Sequence, residues 1–92
     1  MHILICYDVP SNRRRARLAK RLREYVDRVQ KSVFEGKIDE SRFPALRATI
    51  ADEIEPREDN VRIYRLCKRC LVSVECVGIT FPASDPDGDV VV

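Results

Sequence analysis

The chain has no run of about eighteen apolar residues, so no segment is expected to cross a membrane as a helix. It has no signal-peptide pattern at its start, because the apolar stretch begins at once and leads into an acid. A cytoplasmic location is therefore expected. The four cysteines, Cys6, Cys67, Cys70 and Cys76, are then expected to be reduced. No internal repeat and no low-complexity segment occurs. His2 is the single histidine, so general-base chemistry by imidazole has one candidate, at the very start of the chain. Residues 13 to 23 contain no acid, and the last eight residues contain no base.

What is present is strongly divided. Seven cations, Arg13, Arg14, Arg15, Arg17, Lys20, Arg21 and Arg23, crowd residues 13 to 23, although the net charge is only +2. Asp85, Asp87 and Asp89 stand near the other end. Such asymmetry points to an anionic partner for the first half, or else to a solvated helix face. At 92 residues the chain is expected to form one domain. A domain of that size buries roughly 60–65% of its unfolded surface, and oligomerisation would help its stability.

The stretch His2-Ile3-Leu4-Ile5-Cys6-Tyr7-Asp8-Val9 reads as a buried strand interrupted by one carboxylate. A buried carboxylate is costly unless paired, hydrogen-bonded or metal-bound. Asp8 is therefore expected where the strand leaves the sheet. There it can cap the following helix or pair with an arginine. It can equally hold a divalent metal beside a phosphate.

The rest of the chain can be read in order. Ser11 or Asn12 caps a helix whose apolar stripe is Ala16, Leu18, Ala19, Leu22, Tyr25 and Val26, ending near Glu24 or Tyr25. Arg28 to Glu35 reads as one second strand closed by Gly36-Lys37. Asp39 to Ile54 carries Phe43, Leu46, Ile50 and Ile54 at helical spacing, with Pro44 in the first turn and Pro56 past the end. Asn60 to Leu66 reads as a third strand, Cys67 to Cys70 as a turn, and Leu71 to Val77 as a fourth strand ended by Gly78. This predicts an α+β, ferredoxin-like sandwich: a four-stranded antiparallel sheet with two helices on one face, over residues 1–78. The open face, with Val29, Val33, Ile63 and Val74 as candidate apolar surface, needs a cover, and a second subunit is the economical one. Residues 79–92 read as a linker followed by Val90-Val91-Val92, an edge strand for this subunit or a partner's.

Two short patterns carry little weight. Cys67-x-x-Cys70 is half of a zinc site at best. A thioredoxin-like role is disfavoured because no helix pattern opens behind it. Asp85-Pro86-Asp87-Gly88-Asp89 has its glycine at the wrong place for a calcium loop and no downstream glutamate, so it reads as a polar turn.

Tyr7-Asp8 at the strand end, the arginine-rich first helix, the block Arg28-Val29-Gln30-Lys31-Ser32-Val33-Phe34-Glu35 and Val61-Arg62-Ile63-Tyr64 together resemble the CRISPR-associated protein 2 family. The resemblance spans roughly residues 2 to 78. It implies a ferredoxin-like homodimer in which two copies of Asp8 face each other and share Mg²⁺. It implies metal-dependent phosphodiester cleavage in some members, on RNA or double-stranded DNA. It also implies a place in CRISPR spacer acquisition, where the dimer bridges dimers of the integrase, CRISPR-associated protein 1. The residues carried over are Tyr7 and Asp8 as catalytic, Asp8 as metal ligand, Arg15, Arg17 and Arg28, and Phe34. Val90, Val91 and Val92 fit the strand that the family adds to the partner's sheet.

Two readings are thus expected. One is a Mg²⁺-dependent endonuclease using Asp8, with Arg13, Arg14, Arg15, Arg17 and Arg28 on the nucleic acid. The other is a non-catalytic DNA-binding bridge. A generic RNA-binding module is disfavoured, because Val61 to Leu66 lacks the glycine and paired aromatics of that class.

Overall fold

The computed structural model describes residues 1–78, so the expected edge strand Val90 to Val92 and the linker before it lie outside the described residues. The chain runs β1 (His2–Asp8), α1 (Asn12–Leu22), β2 (Asp27–Gln30), β3 (Val33–Lys37), a 3-10 turn (Glu40–Arg42), α2 (Phe43–Glu53), β4 (Asn60–Leu66) and α3 (Lys68–Val72). The sheet has four strands in the order β2-β3-β1-β4, all neighbours antiparallel. This is the expected ferredoxin-like arrangement, reached by a different division of the chain.

The division differs in two places. Arg28 to Glu35 is not one strand but a hairpin, with Lys31-Ser32 as its two-residue turn and an irregular register between Arg28 and Gln30. The favoured two-residue hairpin turns need positive φ and advertise it with glycine or asparagine. Here no non-glycine residue has positive φ, so that signal is missing. The turn is held by side chains instead, one from β2 and one from β1. Lys31 carbonyl accepts from Arg28 Nη2 at 2.8 Å and from the Tyr7 hydroxyl at 3.2 Å, and Ser32 carbonyl accepts from Tyr7 N–H at 3.1 Å. The second difference is Leu71 to Val77, which forms no strand: α3 occupies Lys68–Val72 and irregular chain follows. The hairpin already supplies the fourth strand.

Alternation along β1 sorts the two faces. Ile3, Ile5 and Tyr7 are buried under the helices, while His2, Leu4, Cys6 and Asp8 lie on the other face. Ile5 sits between Phe34 and Ile63 in register, and these join Leu18, Leu22, Leu46 and Ile50 in the core. Ile63 therefore packs toward the helices and gives nothing to the open face. Val74 lies outside the sheet. Gly36 is also on the helix side, opposite Ile3, and a Cβ there would approach Val26 Cγ1 to 3.1 Å. Absence of a side chain lets the Val26 segment cross close to β3.

Ser11 Oγ accepts from Arg14 N–H at 3.2 Å and starts α1, as its position suggests. Helix α1 stops at Leu22, slightly earlier than the apolar stripe implies, and Leu22 carbonyl then takes the N–H groups of Tyr25 and Val26. Along the seam between α1 and α2, Arg21 Nη1 reaches Asp52 at 2.7 Å and Glu53 at 2.8 Å, and Arg17 Nε reaches Glu53 at 3.2 Å. Glu53 is buried, so this pairing is what permits a carboxylate there. No helix among the described residues is long and apolar enough to cross a membrane.

Candidate nucleic-acid and metal site at the end of β1

Asp8 is the last residue of β1 and is exposed. It lies opposite Asn60, the first residue of β4. Directly opposed residues on one sheet face hold their Cβ atoms about 4.5–5.5 Å apart. Register thus places Asn60 as an additional oxygen donor opposite Asp8 on that face. Its position at the start of the third predicted strand was legible, but its role was not, because only register brings it to Asp8. Asp8 makes no hydrogen bond or ion pair among the described residues, so neither the capping nor the arginine-paired alternative describes it.

Tyr7 is adjacent in sequence but points to the opposite face. It is buried, its ring stacks on Phe34 with centroids 6.1 Å apart, and its hydroxyl donates to Lys31 carbonyl. Burial pushes its pKa above the usual tyrosine value, against the opposing pull of Arg28, Arg15 and Arg23. At neutral pH it is a neutral donor and a positioning group. Phe34, fully buried, is the other half of that stack.

Beside Tyr7 lies a cleft of about 310 Å³ lined by Asn12, Arg15, Ala16, Ala19, Arg23 and Arg28. Three guanidinium groups around a neutral phenol suit an anionic group such as a phosphodiester. Arg23 was named above only within the cationic run and Asn12 only as a candidate cap, neither as a site residue. Arg23 sits in the cationic run as the C-cap of α1, and it lines the cleft wall with Arg15 and Arg28. A second cleft, of about 340 Å³, lies between α2 and β4 and is lined largely by aliphatic side chains including Ile50, Ile54, Val61 and Ile63.

The arginines of the first helix do unequal work. Arg14 is committed to the loop before β4: its Nε and Nη2 meet both oxygens of Asp59 at 2.8 and 2.9 Å, and Nη2 also meets Glu58 at 2.9 Å. That forked contact lowers the Asp59 pKa and raises that of Arg14. The Asp59 side chain has no exposed surface and also accepts from Glu55 N–H at 2.8 Å. Arg15 donates to Val9 carbonyl at 2.8 Å and to Asn12 Oδ1, bracing the strand-to-helix turn behind Asp8. Arg17 is tied to Glu53, yet its side chain stays largely exposed. Arg28 braces the hairpin. Arg13 has no hydrogen bond or ion pair among the described residues.

Among the described residues no cluster of three or more His, Cys, Asp or Glu gathers for a metal. Mg²⁺ does not require one, since it commonly keeps several waters and takes one or two carboxylates. An exposed, unpaired Asp8 with an amide oxygen opposite fits that habit. His2 does not reach the site. It is at the far end of β1, with Nε2 3.2 Å from Glu35 Oε2.

A four-stranded antiparallel sheet with α1 and α2 on one face, and a lone carboxylate at the end of its central strand, defines a ferredoxin-like domain with a sheet-end site. A family model described as CRISPR associated protein Cas2 matches residues 1–74, and the chain belongs to that family. It is 37% identical over 89 residues to a CRISPR-associated endoribonuclease Cas2 of Synechocystis sp., with 97% of this chain and 96% of the relative covered. The crystal structure of Streptococcus pyogenes Cas2 superposes with a TM-score of 0.77 at 31% identity, covering 85% of this chain and all of that one. A chain of a partial Cas6-RT-Cas1–Cas2 complex superposes with a TM-score of 0.71 at 33% identity, covering 96% of this chain and 92% of that one.

Proposed function

We propose that this chain acts in CRISPR spacer acquisition as a homodimer that cleaves phosphodiester bonds in RNA or DNA with Mg²⁺. The observation carrying this reading is Asp8, an exposed, unpaired carboxylate at the end of the central strand; the cleft walled by Arg15, Arg23 and Arg28 opens on the other face, at the neighbouring Tyr7. Asp8 from each of two chains holds the ion, with Asn60 as the adjacent oxygen donor. When bound, Mg²⁺ polarises a phosphate oxygen and makes water easier to deprotonate. The chain's own groups position the substrate. Arg15, Arg23 and Arg28 receive phosphates, Tyr7 and Phe34 keep the hairpin wall in place, and Arg13 and the exposed end of Arg17 extend the contact along the backbone.

The open face supports the dimer. Leu4, Cys6 and Val33 occupy it beside the exposed ring of Tyr64. A second copy of the chain covers that surface, and the complementary location is cytoplasmic, where nucleic acid is met.

A second reading is a non-catalytic bridge between dimers of the integrase Cas1. What favours it is the lack of a neutral-pH base near Asp8: Tyr7 is held protonated and His2 is at the other strand end. The relative found in a Cas1–Cas2 complex points the same way. Nuclease assays on wild type and Asp8→Asn, with and without Mg²⁺, separate the two. Under the first reading, wild-type cleavage needs metal and the variant falls to background while still binding nucleic acid. Equal rates in nuclease-free preparations would remove Asp8 from the chemistry, and the bridge would stand.

A further inference from the structure

The sheet-end site leaves one reactive cluster unused. Leu66 ends β4, and the next residue, Cys67, occupies the cap position before Lys68–Val72. A helical turn does therefore open behind the Cys-x-x-Cys spacing, contrary to the reading of Leu71 to Val77 as a strand. Cys70 N–H donates to Cys67 Sγ at 3.4 Å, and the two sulfurs are 3.3 Å apart. Both thiols are exposed. Register places them far from Asp8, since Leu66 pairs with His2 at one end of β1 and Asn60 with Asp8 at the other.

The contact is two-sulfur chemistry waiting for an electron acceptor. A disulfide has its sulfurs about 2.05 Å apart, so closing it requires the two side chains to move together by only roughly 1.3 Å. A zinc site needs about four ligands, and no third Cys, His, Asp or Glu joins this pair among the described residues. A purely structural role is also poorly served, because thiols used for packing are normally buried.

We propose that Cys67 and Cys70 form a dithiol exchange site that reduces low-molecular-weight disulfides of the glutathione type and closes into an intramolecular disulfide. Cys67 thiolate attacks one sulfur of the disulfide RSSR, forming a mixed disulfide at Cys67 and expelling RS⁻. Cys70 then loses its proton to solvent and attacks Cys67 Sγ, forming the Cys67–Cys70 bond and expelling the second RS⁻. The released thiolates take up the protons lost by the two cysteines. Two electrons pass from the dithiol to RSSR. The order of attack follows from the geometry. The Cys70 amide stabilises negative charge on Cys67 Sγ and lowers its pKa, while the neighbouring Cys67 sulfur raises that of Cys70. Lys68 and Arg69, between the two thiols, add positive charge that favours thiolate and attracts an anionic disulfide.

The test uses the full reduced chain and glutathione disulfide under anaerobic conditions. The expected result is loss of two of the four thiols, release of two glutathione molecules per chain, and a Cys67–Cys70 link in the peptide map. Cys70→Ser should stop at a glutathione adduct on Cys67, and Cys67→Ser should react more slowly than Cys70→Ser. The wild-type measurement needs no variant to be decisive. The proposal is overturned if Cys6 or Cys76 reacts while the pair stays reduced, or if oxidation links two chains through Cys67 or Cys70. It is equally overturned if the pair resists the disulfide but binds added Zn²⁺ alone.

Discussion

The two faces of the one sheet are built from the same strands and obey opposite rules. On β1, Ile3, Ile5 and Tyr7 meet helices, and nearly every group there has a packing partner. One residue over, His2, Leu4, Cys6 and Asp8 face outward. The helix face spends its residues on stability: Phe34 is fully buried against Tyr7, and the Tyr7 hydroxyl secures the hairpin turn. The open face keeps a carboxylate without a partner at its edge. The contrast teaches that residues adjacent in sequence, Tyr7 and Asp8, belong to different jobs because strand geometry separates them by period two. The same division runs through the arginines, most of which brace the fold while Arg13 is left to solvent.

The comparison can be broken most severely on the helix face. Phe34→Ala should cost about 3–5 kcal/mol, as truncation of a fully buried aromatic does. Urea denaturation measures this, and a loss below about 1 kcal/mol would mean that the Tyr7–Phe34 stack does not organise the hairpin.

Next in size is the Arg14–Asp59 fork. Arg14 holds the Asp59 carboxyl below the usual range, so the folded state binds that proton less readily than the unfolded chain. Its stabilisation is complete above the ordinary carboxylate range and disappears as pH falls through the lowered folded value. Asp59→Asn should therefore lower the melting temperature near neutrality and converge on wild type in strong acid. Parallel melting curves from about pH 7 down into strong acid read the outcome, and a pH-independent difference would place the effect in packing.

The arginines sharpen the comparison through salt. Each phosphate contact adds roughly 0.9 to the slope of log K against log salt. Arg13→Gln should reduce that slope by about one contact without changing stability. Arg14→Gln should do the reverse, lowering the melting temperature with little change in slope. Equal slopes in wild type and Arg13→Gln would show that Arg13 is solvated surface only.

The smallest effect belongs to Asp8. Asp8→Asn should leave folding stability within about 0.5 kcal/mol, as expected for an exposed position whose side chain makes no hydrogen bond or ion pair among the described residues. A clear loss in a thermal melt would reveal a structural partner and weaken its assignment as a ligand.

Much of this was open to a reader of the chain. The alternation of β1, the Ser11 cap, Pro44 in the first turn of α2 and the limits of β4 are local patterns that appear as read; the α1 stripe runs on past the helix end at Leu22, and Glu40–Arg42 is a 3-10 turn rather than part of the helix read over Asp39 to Ile54. Two elements were not legible. The hairpin at Lys31-Ser32 carries no glycine or asparagine; its turn is secured by Arg28, three residues before it in β2, and by Tyr7 from β1. The segment after Cys67 has the β-branched look of a strand, but its capping group is a thiol, a residue not usually counted as a helix start.

By itself, then, the sequence determined the fold class, the burial of β1 and the position of Asp8 at a strand end, because periodicity and the cost of burying a charge act over a few neighbouring residues. Only the tertiary structure decided which arginines are engaged, that Asn60 stands opposite Asp8, that Ile63 faces the helices, and that the two sulfurs of Cys67 and Cys70 touch. The first three depend on register and on side chains meeting across the fold, which the spacing of neither partner records, while the sulfur contact depends on the helical turn Lys68–Val72 that Cys67 caps.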